Sequence, residues 1–397
     1  MPRIHSPLPT LAARTGLIEP FHVMELVKRA AELERGGRSI IHMSIGEPDF
    51  TAPPDVVAAL ERAARAGRTR YTAAVGTEPL RRAIAEHYRD EYAVEVDPSR
   101  IIVTAGASAA LLLACCALVN GGDEVLLGDP TYPCNRHFIA AFDGRPVSIP
   151  VGPPTRFQLD AALVDAHWGP RVRGVLLASP ANPTGTSVPF DELGAILDVV
   201  REHNGFAIVD EIYLGLHYDG RARTALEHGD DMVVTSSFSK FFSMTGWRLG
   251  WLVVPPDWVP AFEKLAQNLF ICASTLAQHA ALGCYTPDSL AVFRDRREQF
   301  RARRDYIVPA LRELGFGVPV TPDGAFYVYA DCSRWSDDSD AFAIELLEQA
   351  GVGVVPGMDF GTNRPERYVR LSYATSLTNL EEAVRRMAAW LGSRPTR

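Results

Sequence analysis

Between residues 101 and 254 the chain alternates short apolar runs with stretches of helical periodicity. The runs are Ile101–Thr104, Glu124–Leu127, Gly174–Ala178, Phe206–Val209, Met232–Thr235 and Leu249–Val254. They are rich in Val, Ile and Leu and lack polar alternation, which predicts strands covered on both faces, as in a largely parallel sheet. Ser108–Val119 and Phe190–His203 predict helices between them. This order predicts an open α/β domain whose ligands lie beyond the carboxyl ends of its strands.

On either side of that region the pattern changes. Residues 1–20 are Pro-rich and aperiodic and predict an arm, with an amphipathic helix following from Phe21 to Arg35. Thr275–Leu314 is helical and charged, short segments follow at Ala325–Tyr329 and Tyr368–Ser372, and a last helix is expected over Asn379–Leu391. The expected division is an arm and helix over 1–45 packed with the small domain, a large α/β domain over 46–290, and a small C-terminal α+β domain over 291–397. A chain of 397 residues exceeds one typical core, which agrees with two.

Composition narrows the class. A net charge of −8 argues against a nucleic-acid surface. Met1–Pro7 lacks the apolar region of a signal peptide, and the longest apolar stretch, Ala109–Val119, is too short to span a bilayer. Cys115, Cys116, Cys134, Cys272, Cys284 and Cys332 show neither CxxC nor zinc-ligand spacing, so buried free thiols are expected and no metal. These features predict a cytoplasmic protein with neither a nucleic-acid nor a membrane partner.

Candidate chemistry begins with lysine, which the chain otherwise avoids. Of 40 Lys plus Arg, three are lysines, and Lys28 and Lys264 lie in amphipathic helical patterns as solvated charges. Lys240 sits in Ser237-Phe238-Ser239-Lys240, with Arg248 eight positions on. Guanidinium cannot attack a carbonyl, whereas a lysine of lowered pKa can form a Schiff base. That setting suits an aldehyde cofactor bearing a phosphate.

Other motifs fall just after predicted strands, each with a plainer alternative. Gly106, Ala107 and Ser108 open a helix where backbone N–H groups could meet a phosphate, or form an ordinary turn. Tyr132, between prolines, could stack on a ring or pack a loop. Asn182, in Asn182-Pro183-Thr184-Gly185, could donate to a phenolate or make a turn. Asp210 could pair with a protonated pyridine nitrogen or cap a helix, with Tyr213 three residues on. Arg370, in the apolar run Tyr368–Tyr373, could clamp a carboxylate or form an internal ion pair.

Jointly and in this order, Tyr71–Gly76, Leu80-Arg81, Gly106, Tyr132, Asn182–Gly185, Asp210–Tyr213, Ser237–Lys240 with Arg248, and Arg370 resemble the class I/II enzymes. These are the aspartate-aminotransferase-like, fold-type I pyridoxal-phosphate enzymes, and the resemblance covers nearly the whole chain. It implies a large domain with a mainly parallel sheet between helices plus a smaller α+β domain. It implies that Lys240 carries pyridoxal 5′-phosphate as a Schiff base and shuttles the substrate proton. Ser237, Arg248 and the amides near Ala107 and Ser108 would hold the phosphate. Asp210 would pair with the ring nitrogen, Asn182 and Tyr213 would bond the ring oxygen, and Tyr132 would stack on the ring. Gly46, in Ser44-Ile45-Gly46-Glu47, would let backbone approach the substrate, and Arg370 would clamp its carboxylate. Tyr71 would reach the phosphate of a neighbouring subunit, implying a homodimer with shared sites.

The expected activity is transfer of an amino group from an L-amino acid to a 2-oxo acid by a ping-pong mechanism. The stretch Ile18–Met24 departs from aspartate-selective relatives, so an apolar or mixed donor pocket is expected. A C–S lyase or related elimination enzyme on the same fold is the alternative. A non-catalytic regulatory homologue would need an N-terminal DNA-binding domain, and no basic helix-turn-helix precedes Ile45.

Overall fold

A computed structural model describes residues 10–20 and 23–393. Its strands are β1 Ile41–His42, β2 Ile101–Thr104, β3 Glu124–Asp129, β4 Arg145–Pro150, β5 Val172–Ala178 and β6 Phe206–Asp210. Then come β7 Val233–Ser237, β8 Gly250–Val253, β9 Tyr327–Asp331, β10 Val352–Gly353, β11 Val355–Pro356 and β12 Tyr368–Ser372. Seven of them form one sheet in the order β2-β8-β7-β6-β5-β3-β4. All run parallel except β8, which is antiparallel to both β2 and β7.

Apolar runs without alternation form this sheet because both of its faces are buried. Val103, Val175, Leu177, Val209 and Val253 enter one core cluster, while Ile102, Leu176, Ile208 and Leu252 enter the other. Helix Ala107–Leu118, apolar on nearly every side, packs into the second cluster through Leu111, Leu113 and Ala114. The strand β4 went unpredicted. It lies at the sheet edge with Pro146 and Pro150 within it and one buried residue, so it carries no apolar run.

A second, three-stranded antiparallel sheet has the order β11-β12-β9, and the short β1 pairs in parallel with β10. Helix Val23–Arg35 buries Leu26 and Ala30, and Arg29 Nε donates to Glu348 Oε1 at 2.8 Å. The expected start of that helix at Phe21, and most of the arm, lie outside the described residues. The helical stretch expected over Thr275–Leu314 is two helices, Thr275–Ala281 and Pro287–Glu313. Proline at 287 ends one pattern and starts the next, with Thr286 Oγ1 capping Ser289 N at 3.2 Å. The last helix begins at Leu377, two residues before the expected start, because Ser376 caps Asn379 N at 3.2 Å.

All six cysteines are free, but only Cys115, Cys284 and Cys332 are fully buried. No helix among the described residues is long and apolar enough to cross a membrane. Among the same residues no cluster of His, Cys, Asp or Glu is placed to hold a metal ion.

Candidate active site

The carboxyl ends of the parallel strands open on one cavity of about 550 Å³. Beyond β3 the chain brings Tyr132, beyond β5 Asn182, at the end of β6 Asp210 and Tyr213, and beyond β7 Ser239 and Lys240. The first turn of helix Ala107–Leu118 adds Ala107 and Ser108. Arg370 enters from β12, and Gly46 from the segment after β1. Crossover topology thus gathers residues far apart in sequence at the carboxyl ends of the strands.

Lys240 is partly open to the cavity, and its Nζ donates to Gly46 O at 2.6 Å. Burial of the ammonium, then the positive charge of Arg370, pushes its pKa down from 10.5 to about 8, with Arg248 acting in the same sense and Glu47 and Asp210 opposing. The amine can therefore shed its proton near neutral pH.

Asp210 is buried, and burial pushes its carboxyl up from 3.8 to about 6. Thr235 Oγ1 and Ile212 N both donate to Oδ1, at 3.0 and 3.1 Å, and oppose that rise. No bond from a described residue falls on Oδ2. A cationic partner in the cavity would offset the desolvation of this carboxylate.

The buried Arg370 guanidinium is held as a fork. Nη1 donates to Asn182 Oδ1 at 3.0 Å and Nη2 to Ser44 O at 2.7 Å, while the buried Nε has no partner among the described residues. The internal ion pair considered for Arg370 is not formed with any described residue; its partners are an amide and a carbonyl. Arg248 takes a left-handed backbone conformation at φ 52° and donates from Nη1 to Thr245 O at 2.9 Å.

Ten expected residues share the cavity wall: Gly46, Ala107, Ser108, Tyr132, Asn182, Asp210, Tyr213, Lys240, Arg248 and Arg370. Three do not. Gly106 lies just behind the wall at φ 86°, where a Cβ would meet Arg248 Nη2 at 2.8 Å. Tyr71 is 81% exposed on the outside of the chain. Ser237 is turned away, because its hydroxyl donates to Leu249 O at 3.0 Å and lies 2.9 Å from Ser239 Oγ. The serine that reaches the cavity is Ser239, two residues on and in the same motif.

Sequence reading also passed over Glu47, Thr245 and Tyr327. Thr245 Oγ1 donates to Glu47 Oε1, tying the segment after β1 to the loop that carries Arg248. Tyr327 Oη lies 2.9 Å from Tyr213 Oη. Glu47 adjoins the expected Gly46 and Tyr327 lies in an expected segment, but neither has a local pattern marking its role. Val23, Met24, Val27, Ile45, Leu111 and Phe360 give the cavity an apolar wall. Of the histidines near these segments, His42 pairs with Glu34 at 3.0 Å away from the cavity, and His22 lies outside the described residues.

Residues 38–387 match the family model for aminotransferase class I and II. The valine–pyruvate aminotransferase of Mycobacterium tuberculosis is 40% identical over 96% of this chain and 99% of that protein. The aspartate/prephenate aminotransferase of Thermus thermophilus is 36% identical over 96% and 99%. Among solved structures, an aminotransferase from Mycobacterium tuberculosis superposes with a TM-score of 0.94 at 40% identity, covering 98% of this chain and all of that one. The aspartate aminotransferase of Thermus thermophilus with maleate gives 0.90 at 34% identity, over 96% of this chain and 100% of that one.

Fold and sequence therefore define a fold-type I transferase. The chain belongs to the class I and II aminotransferase family, whose members depend on pyridoxal phosphate. It is an aminotransferase, and the elimination and regulatory alternatives draw no support from these relatives.

Proposed function

We propose that this chain holds pyridoxal 5′-phosphate in the cavity through Lys240 and moves an amino group between an L-amino acid and a 2-oxo acid by ping-pong exchange. One observation carries the reading: a lysine amine with its pKa lowered to about 8 shares a cavity with a buried carboxylate and a forked arginine. The residues fit the cofactor. Gly106 leaves space against Arg248 that a side chain would fill, as a phosphate cradle needs. Asp210 retains an oxygen for a ring nitrogen, and the wall includes Tyr132 with Asn182 and Tyr213 as candidate partners for a ring oxygen. When bound, the cofactor supplies an electron sink for charge left at the substrate Cα.

The chain's own groups do the rest. Arg370 binds the substrate carboxylate and so fixes the orientation of the Cα–H bond. Lys240 Nζ takes the Cα proton as general base and returns it on the other side of the exchange. Asp210 keeps a proton on the ring nitrogen by supplying its counter-charge.

The apolar wall formed by Val23, Met24, Val27, Ile45, Leu111 and Phe360 favours a donor with an alanine-like, branched or aromatic side chain. The valine–pyruvate name of the Mycobacterium tuberculosis relative points the same way, while the aspartate/prephenate name of the Thermus relative points to a dicarboxylate. We place the protein in the cytoplasm as a homodimer in which the exposed Tyr71 serves the phosphate of the other copy.

Absorbance of the purified protein tests the reading. A visible band that disappears on adding an amino acid alone, and returns with a 2-oxo acid, is expected. No band after reconstitution with pyridoxal phosphate would overturn it. Rates for a panel of amino acids with pyruvate and 2-oxoglutarate then decide the donor, and a strong aspartate preference would overturn the apolar assignment.

A further inference from the structure

Tyr327 opens β9 and is completely buried, yet it contributes to the cavity wall. Pairing of Tyr327 with Ser372 puts Arg370 diagonally beside it on the same face of the sheet. The Arg370 guanidinium accordingly sits 4.5 Å from the centre of the Tyr327 ring. A Cβ on Gly46 would come within 2.8 Å of Tyr327 Oη, so glycine at 46 leaves the hydroxyl its place. From there it meets Tyr213 Oη at 2.9 Å, with the two rings edge to face at 81°.

A phenol has one proton to give. If Tyr213 donates to Tyr327, Tyr213 can only accept from the cavity. If Tyr327 donates, the Tyr213 proton is free to point into the cavity, and a chain of two phenols donates more strongly than one. An anionic ring oxygen there selects the second arrangement.

We propose that Tyr327 is a positioning residue for the reaction: its hydroxyl donates to Tyr213 Oη and so aims the Tyr213 proton at the ring oxygen of the cofactor. This rests on the reading of the cavity as a pyridoxal-phosphate site. Tyr327 acts through Tyr213 and touches no reacting atom.

The test is a pH titration of the visible absorbance of four holoenzymes: wild type, Tyr213→Phe, Tyr327→Phe and the double variant. A ring oxygen less well bonded holds a neighbouring proton more tightly, so the midpoint rises when donation weakens. Tyr327→Phe is expected to raise it by about half a unit to one unit, less than Tyr213→Phe does. In the double variant it should add nothing to the Tyr213→Phe shift, since its route is gone. The ring over Arg370 is kept, so KM for the amino donor should hold while kcat falls. An unshifted midpoint in Tyr327→Phe, a shift that adds fully in the double variant, or a raised KM with the midpoint unmoved would overturn the proposal. A wild type without any visible band would instead overturn the cofactor reading beneath it.

Discussion

Lys240 and Gly46 are joined by a hydrogen bond, Nζ donating to the carbonyl oxygen at 2.6 Å. The bond reaches from the loop after β7 in the large sheet to the segment that also supplies Ser44 O to Arg370. The amine and the carboxylate clamp are thereby set against the same short stretch of backbone.

The pKa of about 8 for Lys240 gives a pH signature. Only the unprotonated amine attacks an aldehyde, so capture of pyridoxal phosphate by cofactor-free protein should speed up about tenfold per pH unit below 8 and level off above it. Stopped-flow absorbance measures this, and a midpoint near 10.5, the ordinary lysine value, would contradict the burial argument. Lys240→Ala should cut turnover by a factor on the order of 10² to 10⁴ and abolish the borohydride-stable mass on that peptide.

Asp210→Asn removes the counter-charge proposed for the ring nitrogen. Losing one charged hydrogen bond corresponds to about ten- to hundredfold in kcat, read by steady-state kinetics. Cofactor-free protein gives a second reading. Because the folded carboxyl titrates at about 6 against an ordinary 3.8, its contribution to stability is present at low pH and lost as pH rises through 6. Thermal melts should show that decline in the wild type and a flatter one in Asp210→Asn. Glu211, pushed by burial to about 8, extends the same trend to higher pH in both proteins.

Arg370→Lys tests the fork. Its two terminal nitrogens are committed to Asn182 Oδ1 and Ser44 O, which fixes the plane of the guanidinium. An ammonium cannot reproduce that geometry or a bidentate grip on carboxylate. KM for the amino donor should rise by about ten- to hundredfold, with the visible spectrum of the unliganded holoenzyme little changed.

Gly106→Ala should weaken cofactor retention. The position has φ 86°, and the added Cβ would press on Arg248 Nη2 at 2.8 Å. With ψ at 172° this is a backbone region nearly reserved for glycine, and strain of about 1–3 kcal/mol adds to displacement of the guanidinium. Equilibrium dialysis with pyridoxal phosphate should show a Kd raised more than tenfold, and Tm should fall slightly.

The central strands were legible because both sheet faces are buried, which writes continuous apolar runs into Gly174–Ala178 and Phe206–Val209. The residues beyond their ends were legible for the same reason: Asp210 is polar where one apolar run stops, and Asn182 sits in the polar turn that follows another. Ser237 and Ser239 could not be told apart in sequence, since which hydroxyl turns inward depends on the carbonyl of Leu249. β1, β10 and β11 are two-residue pairings that leave no period to detect. The Tyr213–Tyr327 contact links two sheets across 114 positions, so no local pattern foreshadows it.

The reversal of β8 has a mechanical consequence. In an all-parallel sheet the chain leaving β7 would have to travel to the far edge before re-entering, whereas an antiparallel neighbour lets it fold straight back. Ser237 pairs with Gly250, so the loop bearing Lys240 and Arg248 is pinned at both feet on adjacent rungs. Gly250 in turn abuts the backbone of Gly106 and Ala107, where a Cβ would lie 2.8–2.9 Å away. Amine, guanidinium and helix start are thus bolted to one chassis, and any hinge between the two sheets would swing Arg370 toward them without disturbing their mutual spacing.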